Sequence, residues 1–179
     1  MTIKTFNINT DKTAFVRAYL PDSIAGLPFC EKRPAVLIFP GGGYEYCSDR
    51  EGEPIALQYL ALGYAAFVVT YSCNERFPEP LMDAAYIFYK IRMRAEEFKI
   101  DPQKMAVLGC SAGGHLAGCL ATMWSDIALT KTIGCEPEDL RPNAAILCYP
   151  VISGVTAPHE GSFKVLLGED ASRSDLSRL

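Results

Sequence analysis

Four short apolar runs, separated by stretches of helical periodicity, constrain this chain more than any other feature of its sequence. Ala35-Val36-Leu37-Ile38-Phe39 contains no polar residue and is closed by Pro40 and three glycines. Tyr64–Tyr71 and Lys104–Leu108 are the second and third, and Asn143–Tyr149, ending at Pro150, is the fourth. Continuous apolar runs of this length suit strands buried on both faces of a sheet, as the first three are expected to be. Glu53–Leu62 reads as a helix, with Pro54 in the first turn and Gly63 just past the end, the positions those residues favour. In Pro80–Phe98, Leu81, Ala85, Phe88, Ile91, Ala95 and Phe98 recur at steps of three and four, the period of an amphipathic helix. Asp101-Pro102 then turns the chain into the third strand, and Ser111–Trp124 is the next helix.

Strand and helix therefore alternate, and short connections with right-handed crossovers make that a parallel sheet with helices on both faces. Ahead of it, Thr2–Asn9 and Thr13–Leu20 alternate roughly between polar and apolar around Thr10-Asp11-Lys12, the pattern of an antiparallel hairpin. Pro21–Arg33 reads as loop, and little periodicity follows Pro150. The expected fold class is α/β, a mostly parallel sheet with an N-terminal antiparallel hairpin. No repeat, low-complexity tract or linker divides the chain, so residues 1–179 read as one domain, long enough to bury a core without metals or disulfides.

The chemistry is concentrated at two glycine-rich turns. Gly109-Cys110-Ser111-Ala112-Gly113 lies between the third strand and a helix. A nucleophilic serine held there needs small neighbours so that strand and helix can pass closely, and Gly109, Ala112, Gly113 and Gly114 supply them. The helix N-terminus behind Ser111 favours negative charge developing at the site. The second turn, Pro40-Gly41-Gly42-Gly43-Tyr44, directly follows the first strand. Glycines there let backbone N–H groups approach a substrate oxygen, and Gly42, Gly43 and Ala112 are the expected oxyanion-hole donors. A phosphate-binding loop is the competing reading, but neither a Gly-Lys-Ser/Thr ending nor a G-x-G-x-x-G opening a helix is present.

A serine needs a base, normally a histidine oriented by a carboxylate. The chain has two histidines. His115, one helical turn after Ser111, is expected to pack or hydrogen-bond beneath the turn rather than to act as base. His159, in the loop after the fourth strand, is the other candidate. Neither has an evident carboxylate partner, although Glu160, Asp170 and Asp175 are close to His159 in sequence. In the usual order an acid and then a histidine follow the serine, each after a later strand. No further buried strand follows Leu147-Cys148-Tyr149, so acid and base are expected to be absent from this chain.

A net charge of -4 and the lack of a Lys/Arg cluster exclude a nucleic-acid binder. Seven cysteines are scattered, without a C-x-x-C pair and in odd number. Those inside apolar runs, such as Cys110 and Cys148, behave as small hydrophobes, which points to a reducing compartment. The N-terminus lacks the apolar segment of a signal peptide, and no stretch approaches the roughly 20 apolar residues that span a bilayer. A cytoplasmic protein without a membrane partner is expected.

Beyond these two turns, Ser48-Asp-Arg-Glu-Gly-Glu-Pro54, Ala66-Phe-Val-Val-Thr-Tyr-Ser72, Pro80-Leu-Met-Asp-Ala84, Ile100-Asp-Pro102, Tyr149-Pro-Val151 and His159-Glu-Gly-Ser162 follow in order. Taken together with Gly109–Ala117, the series resembles bacterial α/β-hydrolase esterases of the acetyl-esterase/acetylxylan-esterase-like group, related to the hormone-sensitive-lipase-like enzymes. Pro40 stands where that group often has a histidine, a change that leaves backbone donors untouched. The resemblance implies an acyl-enzyme on Ser111, with small acyl esters, acetylated sugars among them, as substrates, and no metal or organic cofactor. An inactive remnant or assembly module, and a serine peptidase or acyltransferase using the same turn, are the alternatives. The group's last strands, with the acid and the histidine, are expected to be missing, as in a C-terminally truncated chain. The open sheet edge this leaves is expected to drive homo-oligomer formation.

Overall fold

The structure is a computed structural model that describes residues 1–7, 14–23 and 32–179. In chain order the elements begin with β1 (Thr2–Asn7), β2 (Phe15–Leu20) and β3 (Arg33–Phe39), then α1 (Glu53–Ala61), β4 (Ala65–Thr70), α2 (Glu79–Met93) and α3 (Ala95–Phe98). They continue with β5 (Ile100–Cys110), α4 (Ala112–Met123), α5 (Ile127–Ile133), α6 (Pro137–Leu140), β6 (Ala144–Cys148), α7 (Glu160–Leu167) and α8 (Arg173–Leu176). The strands form one six-stranded sheet in the order β1-β2-β4-β3-β5-β6. β4, β3, β5 and β6 run parallel, whereas β1 and β2 pair antiparallel with each other and β2 pairs antiparallel with β4. The expected hairpin strands are thus present; their connecting turn and most of the Pro21–Arg33 loop lie outside the described residues.

Helices cover both faces. On one, Ala56 of α1 packs over Val36, Ile38, Ala66 and Leu108. On the other, α2 and α4 set Leu81, Phe88, Leu116 and Leu120 against Leu37, Phe39, Phe67 and Val107. Alternate residues of β3 and β4 thus enter different layers, because side chains of a strand alternate between faces. That is why these strands need apolar residues at every position.

Three details differ from the sequence reading. The helix expected over Pro80–Phe98 breaks at Arg94 into α2 and α3. Asp101-Pro102 does not precede the third strand but lies within β5. Its register against β3 jumps between Arg33↔Ile100 and Ala35↔Met105. The proline, which has no N–H to donate, is thereby confined to a bulge. Finally, α5 and α6 fill the interval before β6, held partly by Arg92. Its guanidinium donates to the carbonyls of Glu138, Asp139 and Arg141 at 2.8–2.9 Å. Among the described residues, no helix is long and apolar enough to cross a membrane.

Candidate active site

The register Phe39↔Gly109 brings β3 and β5 to a common level, so the chain leaves both strands side by side at their carboxyl ends. In open parallel sheets this is where ligands bind. Ser111 follows β5 and caps α4 with φ 52° and ψ −119°, a left-handed conformation that costs a non-glycine residue about 1–3 kcal/mol unless its surroundings enforce it. They do so from both sides. Ser111 N–H donates to Cys148 O at 3.0 Å, and Val151 N–H donates to Ser111 O at 3.1 Å. The small neighbours have a steric reason. A Cβ on Gly109 would lie 2.0 Å from Gly113 O, and one on Gly113 would lie 2.0 Å from Phe39 O. Ser111 itself is half-buried, and among the described residues its hydroxyl has no hydrogen-bond partner.

The glycine loop lies directly against this turn. A Cβ on Gly41 would be 2.9 Å from Ser111 Cβ, a spacing that a larger residue could not keep. The loop doubles back at Gly42, whose carbonyl accepts the N–H groups of Glu45 and Tyr46 at 3.0 and 3.3 Å. Among the described residues, the N–H groups of Gly42 and Gly43 donate to no protein acceptor. Ala112 N–H, at the first position of α4, has no acceptor within the helix, as the geometry of a helix start dictates.

Two residues without a role in the sequence reading hold the loop in place. Glu51, in a single 3-10 turn, accepts Gly41 N–H on Oε2 and the Tyr149 hydroxyl on Oε1, both at 2.7 Å. Its carboxylate bridges the glycine loop to the end of β6, and that hydrogen bond raises the Tyr149 phenol above its ordinary range. Tyr71, fully buried, donates its hydroxyl to Pro40 O at 2.8 Å. The only prior signal for Glu51 was its place in Ser48–Pro54.

The histidines sit elsewhere. His115 is 2% exposed beneath the turn, with Nε2 3.2 Å from the main-chain oxygen of Leu179 and Nδ1 2.7 Å from the Tyr44 hydroxyl. A main-chain oxygen can only accept, so Nε2 carries the proton and Nδ1 accepts from Tyr44. Burial lowers the imidazole from its ordinary 6.5, and both nitrogens are occupied away from Ser111. His159 caps α7, its Nδ1 accepting Ser162 N–H at 3.3 Å with Ser162 Oγ 2.9 Å away. Ser162 is buried and adjoins the glycine loop, its Oγ 3.7 Å from where a Cβ on Gly43 would stand. The structure therefore gathers Ser111, the Gly41–Gly43 turn and the start of α4, and leaves both histidines out of contact with the serine hydroxyl.

This arrangement has relatives among known proteins. Residues 27–155 match the BD-FAE family. An acetylxylan esterase from Xylanibacter ruminicola is 33% identical over 83% of this chain. The crystal structure of MGS-M1, an α/β hydrolase from a deep-sea metagenome library, superimposes with a TM-score of 0.73 at 44% identity over 84% of this chain. That of an acetyl ester-xyloside bifunctional hydrolase from Caldicellulosiruptor lactoaceticus gives 0.77 at 34% identity over 94%. The chain spans 57% and 60% of those two solved chains and 28% of the acetylxylan esterase. The family match covers most of the chain and the sheet superimposes on solved hydrolases, so the chain belongs to the BD-FAE family and has the α/β-hydrolase fold.

Proposed function

We propose that this chain carries the nucleophile and oxyanion half of a serine carboxylic-ester hydrolase for small acyl esters, with acetylated sugars as the favoured class. The observation that carries the reading is the strained, half-buried Ser111 set against a turn whose Gly42 and Gly43 N–H groups are unengaged among the described residues. In this reading Ser111 Oγ attacks the ester carbonyl while a base takes its proton. The N–H groups of Gly42, Gly43 and Ala112 hold the tetrahedral oxyanion, an interaction stronger in the transition state than in the ground state. Collapse expels the alcohol and leaves an acyl-serine that water hydrolyses. The sugar ester is supported by the chain's similarity to an acetylxylan esterase and to an acetyl ester-xyloside hydrolase.

Ser111 Oγ lacks a hydrogen-bonded base among the described residues, and this favours a second reading, an inactive or assembly-only member of the family. One comparison separates them. The purified chain and Ser111→Ala are treated with a fluorophosphonate probe and with p-nitrophenyl acetate. Labelling and turnover that vanish with Ser111→Ala are expected from the esterase, because both require the acyl- or phosphonyl-serine. Equal traces from both proteins would leave only the inactive reading.

A further inference from the structure

The glycine loop and the end of β4 meet at two sulfurs. Cys47, closing the loop, and Cys73, just after β4, have Sγ atoms 3.7 Å apart, although 26 residues separate them in sequence. Both are half-buried free thiols. Cys47 also lines a cavity of about 560 Å³ between β2, β4 and the Ser48–Pro54 segment, and Cys73 is half-buried beside the exposed Asn74 and Glu75. The two stretches already clasp each other through Asn74, whose N–H donates to Tyr44 O at 2.7 Å and whose side-chain amide donates to Glu45 O at 2.9 Å.

We propose that Cys47 and Cys73 are a dithiol site that closes reversibly to a disulfide, fastening the glycine loop to the end of β4. Thiol–disulfide exchange needs one sulfur as thiolate and a second within reach to resolve the mixed disulfide. The pair is polarised for those roles. The hydrogen bond between the two sulfurs lowers the pKa of Cys73 and raises that of Cys47, which burial raises further. With a low-molecular-weight disulfide such as oxidised glutathione, the Cys73 thiolate attacks one glutathione sulfur and expels a glutathione thiolate. Cys47 then gives up its proton, and its sulfur attacks Cys73 Sγ and expels the second glutathione. Two protein thiols are oxidised, one glutathione disulfide is reduced to two thiols, and the two protein protons end on the departing thiolates. The sulfurs start 3.7 Å apart, and Asn74 already ties Tyr44 and Glu45 of the loop to the end of β4.

The site is separate from the esterase reading and its test needs no turnover. The folded chain is incubated with oxidised glutathione, remaining thiols are alkylated, and peptides are mapped by mass spectrometry. A Cys47–Cys73 cross-link, about 2 Da lighter than the two thiol peptides together, is expected, with a raised thermal midpoint that reductant reverses. Cys47→Ser is expected to keep a stable glutathione adduct on Cys73, and Cys73→Ser to take up glutathione at position 47 at least tenfold more slowly. Finding Cys47 and Cys73 both alkylated, both carrying glutathione without bridging, or joined to other cysteines, such as Cys110 or Cys148 of β5 and β6, would overturn the proposal.

Discussion

Ala35–Phe39 in β3 and Ala144–Cys148 in β6 are both unbroken apolar segments in parallel strands, yet every residue of the first is 0% exposed while Ile146 and Leu147 of the second are 36% and 39% exposed. β3 has β4 and β5 as neighbours and helices over both faces. Among the described residues β6 has β5 on one side only; α4 packs against one of its faces, with Leu147 Cδ1 3.7 Å from the Cβ position of Gly118. Tyr149, Ile152 and Val155 extend the apolar surface beyond the strand. The opposite edge is built differently: β1 is exposed but carries Thr2, Lys4, Thr5 and Asn7, the polar and charged residues that keep an edge from pairing. Apolar character makes a strand capable of being buried; its neighbours decide whether it is.

The sharpest way to break this comparison is to make the same deletion in both strands. Leu37→Ala is expected to cost about 2–5 kcal/mol, the range for emptying a packed core position. Leu147→Ala should cost less than about 1 kcal/mol, because much of that side chain already meets water. Denaturant unfolding of the two variants reads both numbers, and equal losses would show that β6 is packed as firmly as β3. A smaller effect is expected from Ile146→Lys. If the apolar edge pairs with a second copy of the chain, as the sequence leads one to expect, light scattering at rising concentration should show association that the lysine reduces, and the folded stability should move by under about 0.5 kcal/mol. Association unchanged by the lysine would place the contact elsewhere.

The finest test lies in α4, the helix that β3, β5 and β6 share. His115 is held neutral by burial, with its pKa below 6.5, so below that pH the unfolded chain binds a proton that the folded chain resists. Stability is therefore fully present above pH 6.5, is lost as pH falls through 6.5, and stops falling once the pH is below the folded value. His115→Gln should flatten that slope between pH 7 and 5 in about the same unfolding assay. An unchanged slope would mean that His115 protonates freely in the fold and that the Tyr44 and Leu179 contacts do not restrain it.

Much of the site is legible in the sequence itself. G-x-S-x-G between a strand and a helix, and P-G-G-G-Y after a strand, are local patterns whose steric purpose follows from their residues. Gly109 and Gly113 show why, since the carbonyls that would meet their Cβ atoms belong to the turn itself and to Phe39 beside it. Glu51 was not legible, because a carboxylate ten residues past Gly41 has no periodicity to betray that it reaches back to that N–H. Nor was the break at Arg94, where the apolar period runs on through Ala95 and Phe98 although the backbone does not.

By itself, the sequence determined the alternation of strand and helix, the four parallel strands, the antiparallel start and the positions of the two glycine turns, because each rests on local sterics and on the period of apolar residues. Only the tertiary structure decided that Glu51 and Tyr149 brace the glycine loop, that Tyr44 and Leu179 are the partners of His115, and that Cys47 meets Cys73. Those are pairings between residues distant in sequence, and they depend on strand order and register, which no local pattern encodes.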